Sequence, residues 1–238
     1  MNIYKQLSMF TVCVLTCGAL SFAAVGASVE NISVDASTST VMVRMVNNST
    51  KDISAYTLAI ELTLANGRTI HRERLEDYLP IPENAKKLWH PGTTREQVVP
   101  ITADNPVIKS EAKIVAIIYA DRTADVDNTA AYQRMIDSRT ERATAMMQEA
   151  KAIQTALTDP NPTQKASENI KQLLYDAKAS GKGNVHGELT VTLRWLQDAP
   201  KAAARANMNE GEYLKAYADQ MNRFASVTAE QAIVRRNP

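Results

Sequence analysis

The longest regular pattern of apolar and polar positions runs from Thr40 to Ile70, TVMVRMVNNSTKDISAYTLAIELTLANGRTI. Val41, Val43 and Met45 alternate with Met42 and Arg44, the period of a strand with one buried face. Tyr56, Leu58, Ile60, Leu62 and Leu64 then share one face of a second strand, with Thr57, Ala59, Glu61 and Thr63 on the other. A slip of one residue would bury Glu61 and expose five apolar side chains, so the pairing register is fixed. Asn47 to Asp52 is a turn cluster whose side chains can bond their own backbone. Asn66-Gly67 supplies positive φ for a tight hairpin, with Arg68 to Leu75 as the returning strand.

Weaker strand signals flank this stretch. Val29 to Asp35, with Val29, Ile32 and Val34, predicts a first, edge strand. Leu75 to Thr94 is an irregular connection carrying Pro80, Pro82 and Pro91-Gly92. Alternation resumes over Arg95 to Ile101, where Val98 opposes Val99. Ile108 to Ala120 ends in the unbroken run Ile114 to Tyr119, the pattern of a strand covered on both faces. Six or seven short strands predict an antiparallel β-sandwich over about residues 28–121.

The order VRMVNNSTKDISAYTLAIELTLANG followed by WHPGTTREQVVPI resembles small immunoglobulin-like domains of bacterial envelope proteins, including the FxLYD group. The shared features are a valine-rich strand, an Asn-x-Ser turn, a long strand ending at an Asn-Gly hairpin, and a Pro-Gly turn. Ile60-Glu61-Leu62-Thr63-Leu64 stands where the motif that names the group would fall. The resemblance covers Val29 to Asp121 and implies an interaction module with no catalytic residues to carry over.

After Asp121 the period changes. Between Ala130 and Pro160 there is no Pro or Gly, and Tyr132, Ile136, Arg139, Ala143, Met146, Ala150, Ile153 and Leu157 recur at spacings of four and three. That is a heptad seam on a helix over about 128–158, interrupted by Arg139, with Ala143 and Ala150 small enough for close approach of another helix. Asp159-Pro160-Asn161-Pro162 stops it. Thr163 caps a second helix over about 163–180, closed by Ser180-Gly181-Lys182-Gly183, so the two form a helical hairpin. Leu189 to Leu196 fits strand or helix; its helical flanks favour a helix over about 186–198. Further helices are predicted at 209–226 and, from the capping-box signature Thr228-Ala229-Glu230-Gln231, at 228–235. The predicted class is α+β: an immunoglobulin-like sandwich followed by a helical hairpin or small helical bundle over 122–238.

The N-terminus adds a destination. Lys5 is the only charge before Glu30, and the apolar run Leu7 to Phe22 ends in small residues, the make-up of a secretory signal peptide within residues 1–27. The expected cut lies after Ala23 or Ala27, with a retained anchor helix as the alternative and the only expected link to a membrane. Both cysteines, Cys13 and Cys17, fall inside the leader, so the mature chain carries no thiol. Loss of Lys5 leaves 26 Lys+Arg against 26 Asp+Glu. That balance and the lack of a basic stripe argue against a nucleic-acid partner.

Candidate chemistry is sparse. The three histidines, His71, His90 and His186, have no second histidine at metal-ligand spacing, and no nucleophile-elbow motif occurs, so neither catalytic residues nor a metal or other cofactor is assigned. His71 beside Glu73 reads as a solvated strand face. Gly181-Lys182-Gly183-Asn184 lacks the spacing of a phosphate loop and reads as a linker. Asn47-Asn48-Ser49-Thr50 offers two glycan acceptor sites, relevant only in a eukaryotic secretory pathway.

Two functional surfaces remain. Tyr78, Trp89 and His90 could form an aromatic platform for a sugar or peptide, or the site of a hydrolase; alternatively Trp89 plugs the open end of the sandwich. The seam of Tyr132, Ile136, Ala143, Met146, Ala150, Ile153 and Leu157 either packs internally or docks another envelope protein or a second copy of the chain. The favoured expectation is an exported, non-enzymatic, periplasmic or extracellular protein that works by protein contact.

Overall fold

The computed structural model describes residues 26–79, 82–181 and 183–237; residues 1–25, the greater part of the segment expected to be a leader, lie outside them. Strands β1 (Ala27–Asp35), β2 (Thr40–Asn47), β3 (Ile53–Leu64) and β4 (Thr69–Asp77) come first. After a short 3-10 helix over Pro82–Lys87 come β5 (Thr94–Pro100), β6 (Val107–Tyr119) and β7 (Thr123–Val126). Helices α1 (Thr129–Ala156), α2 (Pro162–Ala179), α3 (Gly183–Arg205) and α4 (Glu210–Gln231) follow, and the chain returns to the sheets as β8 (Arg235–Arg236).

The strands make two sheets, one ordered β1-β2-β5 and one ordered β4-β3-β6-β7-β8. Every pairing is antiparallel except β7 with β8. The expected alternation holds: Val41, Val43 and Met45 of β2 face Leu58, Ile60, Leu62 and Leu64 of β3 in one buried core between the sheets. The hairpin turns at Gly67, whose φ of +82° is open to glycine without steric cost.

The run on β6 is buried on both sides, for a reason that links the two halves. Register slips between Thr57↔Ala116 and Leu58↔Ile114, leaving Val115 as a bulge. Ile114, Ile117 and Tyr119 then enter the inter-sheet core, while Val115, Ala116 and Ile118 enter a second core against α1. The Val115 carbonyl, freed from the ladder, accepts the N–H groups of Asp127 (3.0 Å) and Asn128 (2.9 Å). Asn128 in turn caps α1, accepting the Ala131 N–H at 3.0 Å. The bulge therefore sets where α1 starts and which face it lays on the sheet.

A third core joins all four helices through Ala150, Ile153, Ile170, Leu189, Leu196 and Leu214. Several expected boundaries need correction. Asn161, not Thr163, occupies the cap position of α2, with Pro162 in its first turn. The Thr163 hydroxyl instead donates to Glu210 Oε2 at 2.7 Å. Helix α3 runs seven residues past the expected end at 198 and continues through Pro200, because Ala199 and Ala203 are buried in the bundle. The helices expected at 209–226 and 228–235 are one, α4, followed by β8. Thr228 caps nothing: it is buried, and its hydroxyl donates to the Phe224 carbonyl at 2.7 Å. The capping box of this helix is Asn209 with Glu212.

Candidate functional site

Tyr78, Trp89 and His90 lie close in sequence but do not form a platform. Trp89 is fully buried in the inter-sheet core. Its ring meets Tyr56 edge-on at 5.2 Å between centroids, its Nε1 donates to the Thr93 carbonyl at 2.9 Å, and its backbone bridges to Ile53 in both directions at 3.0 Å. It takes the plug role. Tyr78 is half-buried, with its hydroxyl donating to Glu76 at 2.9 Å and the Arg95 guanidinium 4.4 Å above its ring. His90 is exposed and pairs with Asp52 at 2.8 Å. His71 is also exposed, 3.3 Å from Glu61.

The Asn47 turn is tied to the same plug. Asn47 is buried, and its amide donates to the carbonyls of Trp89 (2.7 Å) and Lys51 (2.9 Å). Both amide hydrogens are occupied, so this side chain has no room for a glycan. Asn48 is exposed and donates to Ser28 at 2.8 Å.

The α1 seam is covered along its length. Tyr132 and Ile136 pack against the five-stranded sheet, and Ala150, Ile153 and Leu157 against the other helices. Ala143 and Met146 are buried between these regions. Of the two uses open to the seam, internal packing is the one observed.

Three polar assemblies were not visible as sites in the sequence. Arg139, which looked like a flaw in the heptad, is fully buried and holds Asp77 at the end of β4 through Nε (3.0 Å) and Nη2 (2.9 Å). It also donates to Ser54 Oγ (3.2 Å) and to the Gln231 carbonyl at the end of α4 (2.8 Å). One guanidinium thus ties β3, β4, α1 and α4 together.

Asp125 gathers both ends of the described chain. It accepts from the Gly26 N–H (3.0 Å), the Tyr119 hydroxyl (2.5 Å) and the Asn237 amide (2.7 Å). Burial alone would raise this carboxyl, but those donors, with Lys51 nearby, hold it below the usual range. A Cβ at Gly26 would sit 2.1 Å from the Tyr119 hydroxyl, so glycine is needed there. Comparison with known proteins finds no match among family models, curated proteins or solved structures.

The third assembly is Glu149 of α1, 1% exposed inside the helical half. Among the described residues, no three His, Cys, Asp or Glu side chains stand together as a metal-binding group. No described helix is long and apolar enough to cross a membrane. One open surface is the outer face of the three-stranded sheet. There Met42 and Val98 stand opposite each other in register, 41% and 58% exposed.

Proposed function

We propose that this chain is an exported, non-enzymatic protein of the cell envelope, periplasmic or extracellular, that acts by contact with another protein or with a second copy of itself. In this reading the two-sheet half is an immunoglobulin-like sandwich of the kind the FxLYD group resembles, and the helices brace it from behind. The leader pattern supports export.

The carrying observation is the Met42/Val98 pair. The five-stranded sheet has the other sheet on one face and α1 over part of the other, whereas these two apolar side chains share an open sheet face. We place the contact at this exposed apolar pair, since apolar surface left open to water is where a partner gains most by docking. The contact surface therefore moves from the α1 seam to the outer face of β2 and β5.

Photo-crosslinking residues placed in cells at Met42, Val98 and, as a buried control, Ile153 test this. Adducts are expected from the two sheet positions and not from the control, and Val98→Glu should remove the adduct formed from position 42. An adduct of twice the chain mass identifies self-contact. Adducts from position 153, or none from the sheet face, would overturn the proposal.

A further inference from the structure

Glu149 is buried in the helical half, and no cation among the described residues is paired with it. From α3, Thr192 favours the charged form of the carboxyl, and Glu188 opposes it with a like charge. From α4, the Tyr217 hydroxyl stands 3.2 Å from Thr192 Oγ1. On α1 itself, the Arg142 Nε is held by Glu188 at 2.7 Å. Glu149 Oε1 finds no hydrogen-bond partner among the described residues. A neutral carboxylic acid can stay in such a place with one hydroxyl contact; a carboxylate there carries a heavy desolvation cost.

The same chain of contacts reaches an optical reporter. The Tyr217 ring stacks on Trp195 at 3.6 Å between centroids and 16° between planes, and Trp195 stacks in turn on Tyr213 at 5.5 Å and 13°. These rings form the contact of α3 with α4 and are half-buried. A change at Thr192 is therefore felt at Trp195 through one residue.

We infer that the packing of α3 and α4 on α1 is a proton-governed latch: it is closed while Glu149 carries a proton and loosens when the proton leaves and the carboxylate seeks water. Burial first, and the Glu188 charge second, push this carboxyl up to about 7, from an ordinary 4.5. Because the folded value is the higher one, the latch is tightest below about 4.5 and is released as pH rises through about 7. This inference stands apart from the proposed envelope role.

Amide hydrogen exchange of the full mature chain between pH 5 and pH 9, corrected for the chemical exchange rate, tests it. Peptides covering 189–196 and 213–221 should lose protection by about tenfold per pH unit as pH rises from about 5 to about 7, and level off above that. Peptides from β2 and β3 should not follow. Glu149→Gln should hold the α3 and α4 peptides closed over the whole range, and Trp195 emission should shift with pH in the native chain and not in the variant. Equal protection at pH 5 and pH 9 in the native chain would overturn the inference, whether or not the variant folds. So would loss of protection spread evenly over β2, β3, α3 and α4.

Discussion

Arg139 of α1 and Asp77 of β4 form a two-point ion pair, Nε to Oδ2 at 3.0 Å and Nη2 to Oδ1 at 2.9 Å, with the arginine fully buried. Removing one member leaves a buried charge without its partner, which costs about 3–5 kcal/mol. Arg139→Met is expected to lose stability of that order in urea denaturation. Asp77→Leu added to Arg139→Met should recover part of it, because the stranded carboxylate is then gone.

Trp89 fills the end of the inter-sheet core rather than lining a ligand surface. Trp89→Ala is expected to cost about 3–5 kcal/mol by leaving a cavity, measured by thermal or urea unfolding. In Trp195→Phe, which leaves Trp89 as the one tryptophan, a panel of glycans and peptides should leave its emission unchanged, since nothing can reach the ring without opening the core.

Local periodicity carried most of the strands and the helical half, because period-2 and heptad patterns are imposed by a buried face and survive in the sequence alone. Tertiary partners did not survive in that way. Arg139 read as a break in the seam because its acceptors lie 62 residues earlier on β4 and 92 residues later on α4. Thr228 looked like a cap because Thr-x-x-Gln can start a helix, yet burial of its side chain keeps α4 running through it. Strand β8 is two residues long, too short for any period to mark it. The Glu149 assembly had one available signal, a glutamate beside the seam residue Ala150, but on a helix surface such a residue reads as solvated.

If the proposed leader is cut, the first strand favours one of the two expected sites. Gly26 donates to Asp125, its carbonyl accepts the Asn48 N–H at 2.9 Å, and Ala27 pairs with Asn47 and is buried. A cut after Ala27 would remove both residues, whereas one after Ala23 spares them. Under the export proposed above, intact-mass analysis of the processed chain is expected to give Ala24 as the first residue; a mass beginning at Ser28 would contradict this.

Two sets of carboxyls act on stability in opposite directions. Asp121 faces a burial penalty that is outweighed by Lys51 and Thr123, which hold it down to about 2, and Asp125 is likewise lowered. Their contribution is present above about 3.8 and is lost as pH falls toward 2. Glu149, raised to about 7, contributes the reverse slope, with stability falling between about 4.5 and 7. Thermal unfolding across pH 2 to 9 should therefore show highest stability near pH 4 to 5. In Glu149→Gln the decline toward neutrality should be largely absent, a difference of about 3 kcal/mol at most at pH 8.

The central structural claim is that sheets and helices form one cooperative structure, so that the α1 seam is closed to partners. Urea unfolding of the mature chain followed by two signals tests it most directly: helical ellipticity for the four helices, and Trp89 emission, in Trp195→Phe, for the sheets. The two curves are expected to coincide in the chain with Arg139 and to separate in Arg139→Met. Two resolved transitions in the chain that retains Arg139 would contradict the account and return the seam to the list of free surfaces.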